Sequence, residues 1–280
     1  MAGTLYVVAT PIGNLEDVTL RALRVLREVD LIVAEDTRRS RILLERYRIK
    51  TPFTTSFYQG VERERAGEIV NLLEAGKDIA LISDAGTPLV ADPGYPLVRE
   101  ALARGVPVVV VPGPTAIIPA LILSGFPPYP FVFDGTPPKK EKARREYFAS
   151  LREERRTVVL YESPHRIENT LDTLAEVLPA RPLALCRELT KVHEEVIRGT
   201  AGEILSQVRR RGKLKGELVL VISPAASLPA TESPPSLVRE RYQRLLREGI
   251  PAKEALRKVA AEFQLPRRRV YRLVHGLPEK

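Results

Sequence analysis

The residues best suited to binding chemistry lie in three short loops rich in glycine, proline and threonine. They span residues 9–14 (ATPIGN), 83–88 (SDAGTP) and 112–116 (PGPTA), and each follows an apolar run. Glycine and proline turns expose the backbone, so a small molecule can approach it closely. None of the loops carries a G-x-G-x-x-G or G-x-x-x-x-G-K-[ST] motif, so neither an ordinary dinucleotide site nor a P-loop is indicated. We predict one small-molecule site that need not bind phosphate.

The elements that must position these loops are short, continuously apolar strands. Such runs are typical of strands buried on both faces of a parallel sheet. Ligands of open α/β sheets bind at the carboxyl ends of the strands, so we expect the three loops to converge there. Alternation of strands and helices predicts the mostly parallel sheet: the strands are expected near residues 5–9, 31–34, 79–82 and 107–111, and the helices near 19–29, 38–47, 61–75 and 94–104.

A second group of strands predicts a second α/β domain with a mixed sheet, because only two helices are expected between them. The expected strands are residues 131–133, 157–161, 183–186, 195–198 and 217–222. The predicted domains are an N-terminal α/β domain (1–113), a second α/β domain (114–224), a Pro-rich linker (225–236) and a basic helical module (237–280).

Local signals predict where some helices begin. Asp17 is expected to cap the first helix, and Thr115 a helix over residues 116–123. Ser163 and Pro164 have the residue types of an N-cap and a first helical position.

Composition narrows the class of protein. The chain has 280 residues, a net charge of +9 and 44% hydrophobic residues, which is ordinary for a globular protein of one or two domains. Cys186 is the single cysteine and the three histidines are scattered, so neither an intramolecular disulfide nor a metal site is expected. No apolar run approaches the length of a membrane span, and we expect a cytoplasmic protein.

The positive charge is concentrated at the C-terminus. Residues 236–280 hold 12 Lys and Arg against 5 Glu, a net +7 out of the total of +9. Helices expected over residues 237–247, 252–263 and 267–274, with a break at 264–266, resemble a helix-turn-helix that binds nucleic acid. The alternative is a solvated basic hairpin that packs on the main body or on a partner subunit.

At the three loops the chain resembles the tetrapyrrole methylase superfamily. That resemblance implies two α/β domains with an S-adenosylmethionine cleft between them, and a homodimer. Longer stretches make the chain similar to the ribosomal RNA small subunit methyltransferase I family, which implies 2′-O-methylation of a decoding-centre cytidine in 16S rRNA of the small ribosomal subunit. The stretches are residues 5–15, 34–38, 83–94, 161–166 and 187–191. One departure is Gly135-Thr136-Pro137-Pro138, where the family has Gly-Phe-Leu-Pro.

The resemblance also implies site residues. A ribose hydroxyl is a weak acid, so a carboxylate that accepts its proton would help; the candidates are Glu35, Asp36 and Asp84, although Asp36 could simply cap a helix. The residues expected to bind the cofactor are Pro11, Ala85, Gly86, Thr87, Val90, Thr115, Ala116, Glu162, Arg187 and Gly199. The residues expected to bind RNA are Arg38, Lys139, Arg144, Arg267, Arg268 and Arg269.

Two other functions fit parts of the sequence. A tetrapyrrole or diphthine methyltransferase would share the loops but has no need of the basic tail. A non-catalytic RNA-binding protein with a degenerate cofactor site would use the tail alone.

Overall fold

The computed structural model describes residues 2–54, 57, 62–225, 235–263 and 265–276. The chain divides into two compact units, Met1–Pro224 and Ala225–Lys280. The first unit contains two sheets, and the second contains helices. No helix within the described residues is long and apolar enough to cross a membrane. The subdivision of the first unit at residue 113 stays a prediction.

The first sheet has four strands, which are parallel as the alternating sequence predicted, and their order is β2-β3-β1-β4. Helices cover both faces, because neighbouring strand residues alternate between two apolar clusters: Ala80 and Ile82 pack with α1 and α2, whereas Ile79 and Leu81 pack with α3 and α4. The elements are β1 (Leu5–Val8), α1 (Leu20–Glu28), β2 (Leu31–Ala34), α2 (Thr37–Arg46), α3 (Glu62–Glu74), β3 (Ile79–Ile82), α4 (Tyr95–Ala103) and β4 (Val108–Val111).

The second sheet is mixed, as predicted, with the order β5-β6-β9-β7-β8. Strands β5 and β6 are parallel, and the other neighbours are antiparallel. Three helices of the described chain, rather than the two expected, lie between its strands, because the charged segment after β5 forms α6. The elements are α5 (Ile117–Ser124), β5 (Phe131–Phe133), α6 (Glu141–Ser150), β6 (Thr157–Glu162), α7 (Ile167–Val177), β7 (Leu183–Arg187), β8 (Glu195–Gly199), α8 (Ala201–Arg211) and β9 (Leu218–Ile222).

The two faces of this sheet are packed differently. Helices α6, α7 and α8 cover one face through Phe148, Leu171 and Ile204. Helix α5 covers the other through Ile117, and Cys186 belongs to this second cluster. The Cys186 side chain is fully buried, and burial raises the pKa of its thiol to about 11. The thiol therefore belongs to the core, as its apolar strand predicted.

Three helix starts differ from the sequence-based prediction. Thr19, not Asp17, caps α1, because its hydroxyl accepts the backbone N–H of Ala22 at 3.0 Å. Helix α5 begins at Ile117, one residue later than expected. Ser163 does not cap α7: its carbonyl accepts hydrogen bonds from the N–H groups of Arg166 and Ile167, which form a turn before the helix.

The second unit has three helices within its described residues: α9 (Pro235–Arg247), α10 (Ala252–Glu262) and α11 (Arg267–His275). A small core of its own holds them together, with Val238, Tyr242, Val259 and Val270 almost fully buried. Gln264, in the predicted break, lies outside the described residues. A unit with its own core fits the helical module that the charge pattern indicated.

Candidate active site

The three loops predicted to converge do meet. The backbones of Thr10 and Gly86 exchange two hydrogen bonds, of 2.8 and 3.0 Å, which join the first loop to the second. The hydroxyl of Thr87 donates to the carbonyl of Pro114 at 3.1 Å, which joins the second loop to the third. The carboxyl ends of β1, β3 and β4 are therefore held as one surface, as expected for parallel strands.

Gly86 is required at this junction. Its φ is +85°, and a Cβ there would lie 3.3 Å from Cγ2 of Ile12. A side chain would therefore meet both backbone strain and a close contact. The glycine allows the first two loops to approach each other and leaves backbone groups beside the cavity.

A cavity of about 440 Å³ opens beside these loops, a size typical of small-molecule sites. Segments that follow strands of the first sheet line one side and strands β6 and β9 of the second sheet line the other, so the cavity lies between the two halves of the first unit. The lining residues are Ile12, Glu35, Arg39, Asp84, Ala85, Gly86, Thr87, Val90, Ala91, Asp92, Thr115, Ala116, Thr136, Tyr161, Glu162, Ser163, Pro164, Gly216, Glu217, Leu218 and Val219.

The wall of the cavity is acidic. Glu35, Asp84, Asp92 and Glu217 line it together with one cation, Arg39, whose guanidinium lies 3.4 Å from a carboxylate oxygen of Asp84. Burial, together with the neighbouring charge of Asp84, raises the pKa of Glu35. Such a wall favours a ligand that carries positive charge.

Asp36 and Asp84 are occupied in positioning the start of α2. Asp36 caps the helix by accepting the N–H of Arg38, and its carboxylate also accepts two bonds from the Arg38 guanidinium. These bonds lower the pKa of Asp36 to about 2. Asp84 accepts the backbone N–H of Asp36 at 3.0 Å. A carboxyl with so low a pKa is a weak proton acceptor, so Asp36 is a poor candidate base.

Asp92 and Glu217 are wall carboxyls that sequence reasoning missed, and Asp92 is the one with a strongly shifted pKa. Burial, and next the charge of Glu35, raise its pKa to about 7, although a hydrogen bond with Ser83 opposes the rise. The loop that presents Asp92 is strained: Leu89 and Ala91 have φ values of +72° and +69° without being glycine. Strained backbone and a carboxyl pKa near 7 both occur preferentially at functional sites. The signal in the sequence was its place in the stretch 83–94, after the loop at residues 83–88.

Most residues expected to bind the cofactor lie on the cavity wall. They are Ala85, Gly86, Thr87, Val90, Thr115, Ala116 and Glu162. The Glu162 side chain is fully buried, and its oxygens accept bonds from the Thr170 hydroxyl (2.6 Å) and the Ser163 N–H (2.8 Å). Its carboxylate is therefore engaged in holding the end of β6 against α7.

Three other expected cofactor residues are not on the wall. Pro11 is buried within the first loop, and Arg187 pairs with Glu195 at 3.3 Å. Gly199 lies away from the cavity: it pairs with Leu183, at the opposite end of β7 from Arg187, whose strand partner Leu218 does line the cavity. The length of the strand separates Gly199 from the site.

The residues expected to bind RNA lie in different environments. Arg38 and Lys139 are exposed, and Arg267, Arg268 and Arg269 lie on α11. Arg144, by contrast, is only 7% exposed, which leaves little of its side chain accessible to RNA. Its Nε donates to the Thr173 hydroxyl at 3.0 Å and its Nη1 to the Lys139 carbonyl at 3.1 Å, so it joins α6 to α7.

Tyr161 and Arg39 also line the cavity without having been predicted. The side chain of Tyr161 is hydrogen-bonded to that of Thr115, and burial raises the pKa of its phenol. Neither residue type stands out within its motif, so only the folded arrangement reveals them.

Comparison with known proteins agrees with this geometry. The model of the family "Tetrapyrrole (Corrin/Porphyrin) Methylases" matches residues 4–205. A protein of Thermotoga maritima named ribosomal RNA small subunit methyltransferase I is 47% identical over 221 residues, 79% of this chain and 98% of that protein. A protein of the same name from Halalkalibacterium halodurans is 41% identical over 280 residues, 98% of this chain and 95% of that protein.

A solved structure also resembles this chain in fold. It is the uroporphyrin-III C-methyltransferase from Thermus thermophilus complexed with S-adenyl homocysteine, with a TM-score of 0.54 and 18% identity over 79% of this chain and 97% of that chain. At this identity the likeness bears on fold alone.

Proposed function

The chain belongs to the ribosomal RNA small subunit methyltransferase I family of tetrapyrrole methylases, and we propose that it methylates the ribose 2′-hydroxyl of a decoding-centre cytidine in 16S rRNA. S-adenosyl-L-methionine is the methyl donor, and the small ribosomal subunit is the partner. The cavity between the two sheets is the site of transfer.

The acidic cavity is the observation that supports this function most directly. S-adenosylmethionine carries a positive sulfonium and a positive ammonium group, which suit a wall of five carboxylates, Glu162 included, and one arginine. Its neutral adenine suits apolar side chains and exposed backbone, which Val90, Ala116 and the turn at Gly86 supply. The residues present therefore fit the donor, and we assign its binding to Ala85, Gly86, Thr87, Thr115 and Ala116.

The chemistry asks little of the protein beyond position and one proton acceptor. Bound S-adenosylmethionine supplies a methyl group on a strong leaving group. We assign the proton of the ribose hydroxyl to the carboxylate of Asp92, because a base works best when its pKa lies near the working pH. Glu35 is assigned to raise the proton affinity of Asp92 through its charge, and Asp84 to hold Arg39 and the start of α2. Arg38 and Lys139 are assigned to phosphates of the bound RNA.

A second copy of the chain is the proposed partner of α5. This helix is apolar on all sides, IIPALILS, yet only one side packs on the second sheet. Its other side leaves Ile118 43% and Ile122 67% exposed, and Val110 and Tyr129, on either side in the chain, are 55% and 87% exposed. A helix that is apolar all round is normally covered on all sides, so we propose a homodimer that covers it.

Transfer of labelled methyl from S-adenosylmethionine tests the proposed activity. The chain is incubated separately with small ribosomal subunits, with naked 16S rRNA and with uroporphyrinogen. We expect label in rRNA from one or both RNA samples and none in the porphyrin. Label in the porphyrin alone would overturn the RNA assignment, and failure to bind S-adenosylmethionine in calorimetry would favour a non-catalytic RNA-binding protein.

A further inference from the structure

Helix α11 differs in charge from the rest of the second unit. Its sequence, RRRVYRLVH, has four arginines and no acidic residue. On α9, by contrast, Arg241 pairs with Glu262 and Arg244 with Glu248. Within the part of the chain that the structure describes, Arg268 and Arg272 have no such partner. The helix therefore carries a net charge of +4 over its nine residues, with histidine taken as neutral.

The helix has two distinct faces. Val270 is fully buried, and Leu273 and Val274 pack partly against the same core. Arg268, Tyr271, Arg272 and His275 follow the spacing i, i+3, i+4 and i+7, which places them together on the opposite side. That side combines two cations with two rings.

Tyr271 is an exposed aromatic side chain with a supported position. The residue is 48% exposed, and the imidazole of His275 lies 4.4 Å from its ring between centroids. His275 in turn contacts the ring of the buried Tyr242 at 6.5 Å. The contacts below Tyr271 hold the ring in place and leave a surface open to a flat partner.

A comparison of chain lengths indicates that the second unit is an addition to the part that this chain shares with a shorter relative. The Thermotoga maritima relative is matched over 98% of its own length but only 79% of this chain. The unmatched fifth has the size of the second unit, Ala225–Lys280. A protein of the same name thus has no room for an equivalent unit, so binding rather than methyl transfer is the contribution to expect from it.

We propose that the exposed face of α11 binds unpaired RNA, with Tyr271 stacked on a base and Arg268 and Arg272 on the adjacent phosphates. This inference rests on the proposed function for its choice of RNA. Stacking on an aromatic ring requires a base that is not part of a duplex. The two arginines beside the ring suit the phosphates on either side of that base. Unpaired RNA therefore fits the face better than a duplex does.

Binding of the full chain to a short single-stranded RNA, followed by fluorescence anisotropy, tests the proposal. Tyr271→Ala should weaken binding about 10-fold, since a base stack is worth that order of affinity, and Tyr271→Phe should retain it because the ring remains. Arg268→Gln and Arg272→Gln should each reduce the slope of log affinity against log salt by about 0.7. Arg244→Gln is the matched control, because Arg244 lies in the same unit but is paired with Glu248.

The outcomes separate this surface from the proposed enzyme activity. Equal affinity of Tyr271→Ala and wild type, with unchanged thermal unfolding, would overturn the stacking role. A Tyr271→Phe variant as weak as Tyr271→Ala would also contradict it, and so would tighter binding to a duplex of the same sequence. If methyl transfer to rRNA fails while Tyr271→Ala still loses affinity, the proposed function is wrong and the surface stands. If transfer succeeds and Tyr271→Ala binds normally, the reverse holds.

Discussion

Replacement of Asp92 by asparagine should remove the pH dependence of methyl transfer. The pKa of Asp92 is about 7, so about one carboxyl in ten is ionised at pH 6 and about nine in ten at pH 8. Only the ionised form can accept the ribose proton, so the wild-type single-turnover rate should rise about 10-fold between these pH values and then level off. The asparagine of Asp92→Asn has a shape similar to that of aspartate, but its amide oxygen does not accept a proton near neutral pH. Its rate at pH 8 should fall about 100-fold or more, because a positioned base contributes that order.

Two further variants sharpen the test. Glu35→Gln removes a neighbouring negative charge that raises the pKa of Asp92, so the midpoint of the rate profile should move to lower pH. Asp172→Asn is the matched control: it is the same substitution at a surface residue paired with Arg209, and its profile should match wild type. An Asp92→Asn variant that kept the 10-fold rise, at a rate within a few-fold of wild type, would refute the assignment.

The same pKa predicts a change in stability that needs no substrate. The folded state holds the Asp92 proton more tightly than the unfolded chain does, since the pKa rises from 3.8 to about 7. This contribution is complete below pH 4 and is lost as the pH rises through 7. The shift alone gives an upper limit of about 4 kcal/mol, and because the side chain is partly exposed we expect about 1–2 kcal/mol. Asp92→Asn should therefore gain stability relative to wild type between pH 4 and pH 8 in chemical denaturation, whereas a constant difference would contradict the raised pKa.

Three further substitutions test other parts of the account. Gly86→Ala should cost about 1–2 kcal/mol of folding free energy and weaken S-adenosylmethionine binding at least 10-fold in calorimetry, while Gly125→Ala, also at positive φ but with open space around a Cβ, should leave that affinity unchanged. Ile122→Glu should convert a dimer into a monomer in light scattering, and a wild-type monomer would contradict the proposed α5 interface. Arg144→Ala should lower the free energy of unfolding by about 2 kcal/mol and leave RNA affinity unaltered, whereas loss of RNA affinity without loss of stability would support the original prediction for this residue.

The sequence predicted the sheets well because their strands are short, apolar and punctuated by turns. The parallel first sheet follows from the alternation of strands and helices, and the mixed second sheet from closely spaced strands. The additional helix was missed because α6 lies in a charged segment with a weak apolar stripe. The residue that caps α1 was misassigned because two polar residues, Asp17 and Thr19, lie close to the start of the helix, although the start itself moved by only one residue.

The candidate site was only partly predictable. Loops that follow parallel strands meet by topology, so the cavity residues near Gly86 and Thr115 could be anticipated from order alone. Asp92 could not be recognised, since its proton affinity arises from burial and from Glu35, which is distant in sequence. The positions of Arg144 and Gly199 were unpredictable for a similar reason: a charged helix does not reveal which arginine turns inward, and a strand does not reveal which end faces the cavity.

The position of the transferred methyl group is the sharpest test of the proposed 2′-O-methylation of a cytidine in 16S rRNA. Small ribosomal subunits are labelled with methyl from S-adenosylmethionine by the wild-type chain, the 16S rRNA is digested to nucleosides, and the labelled nucleoside is identified by mass spectrometry. The account predicts 2′-O-methylcytidine from a single position in the decoding centre. Label on a base, or on the ribose of a different nucleotide, would contradict it.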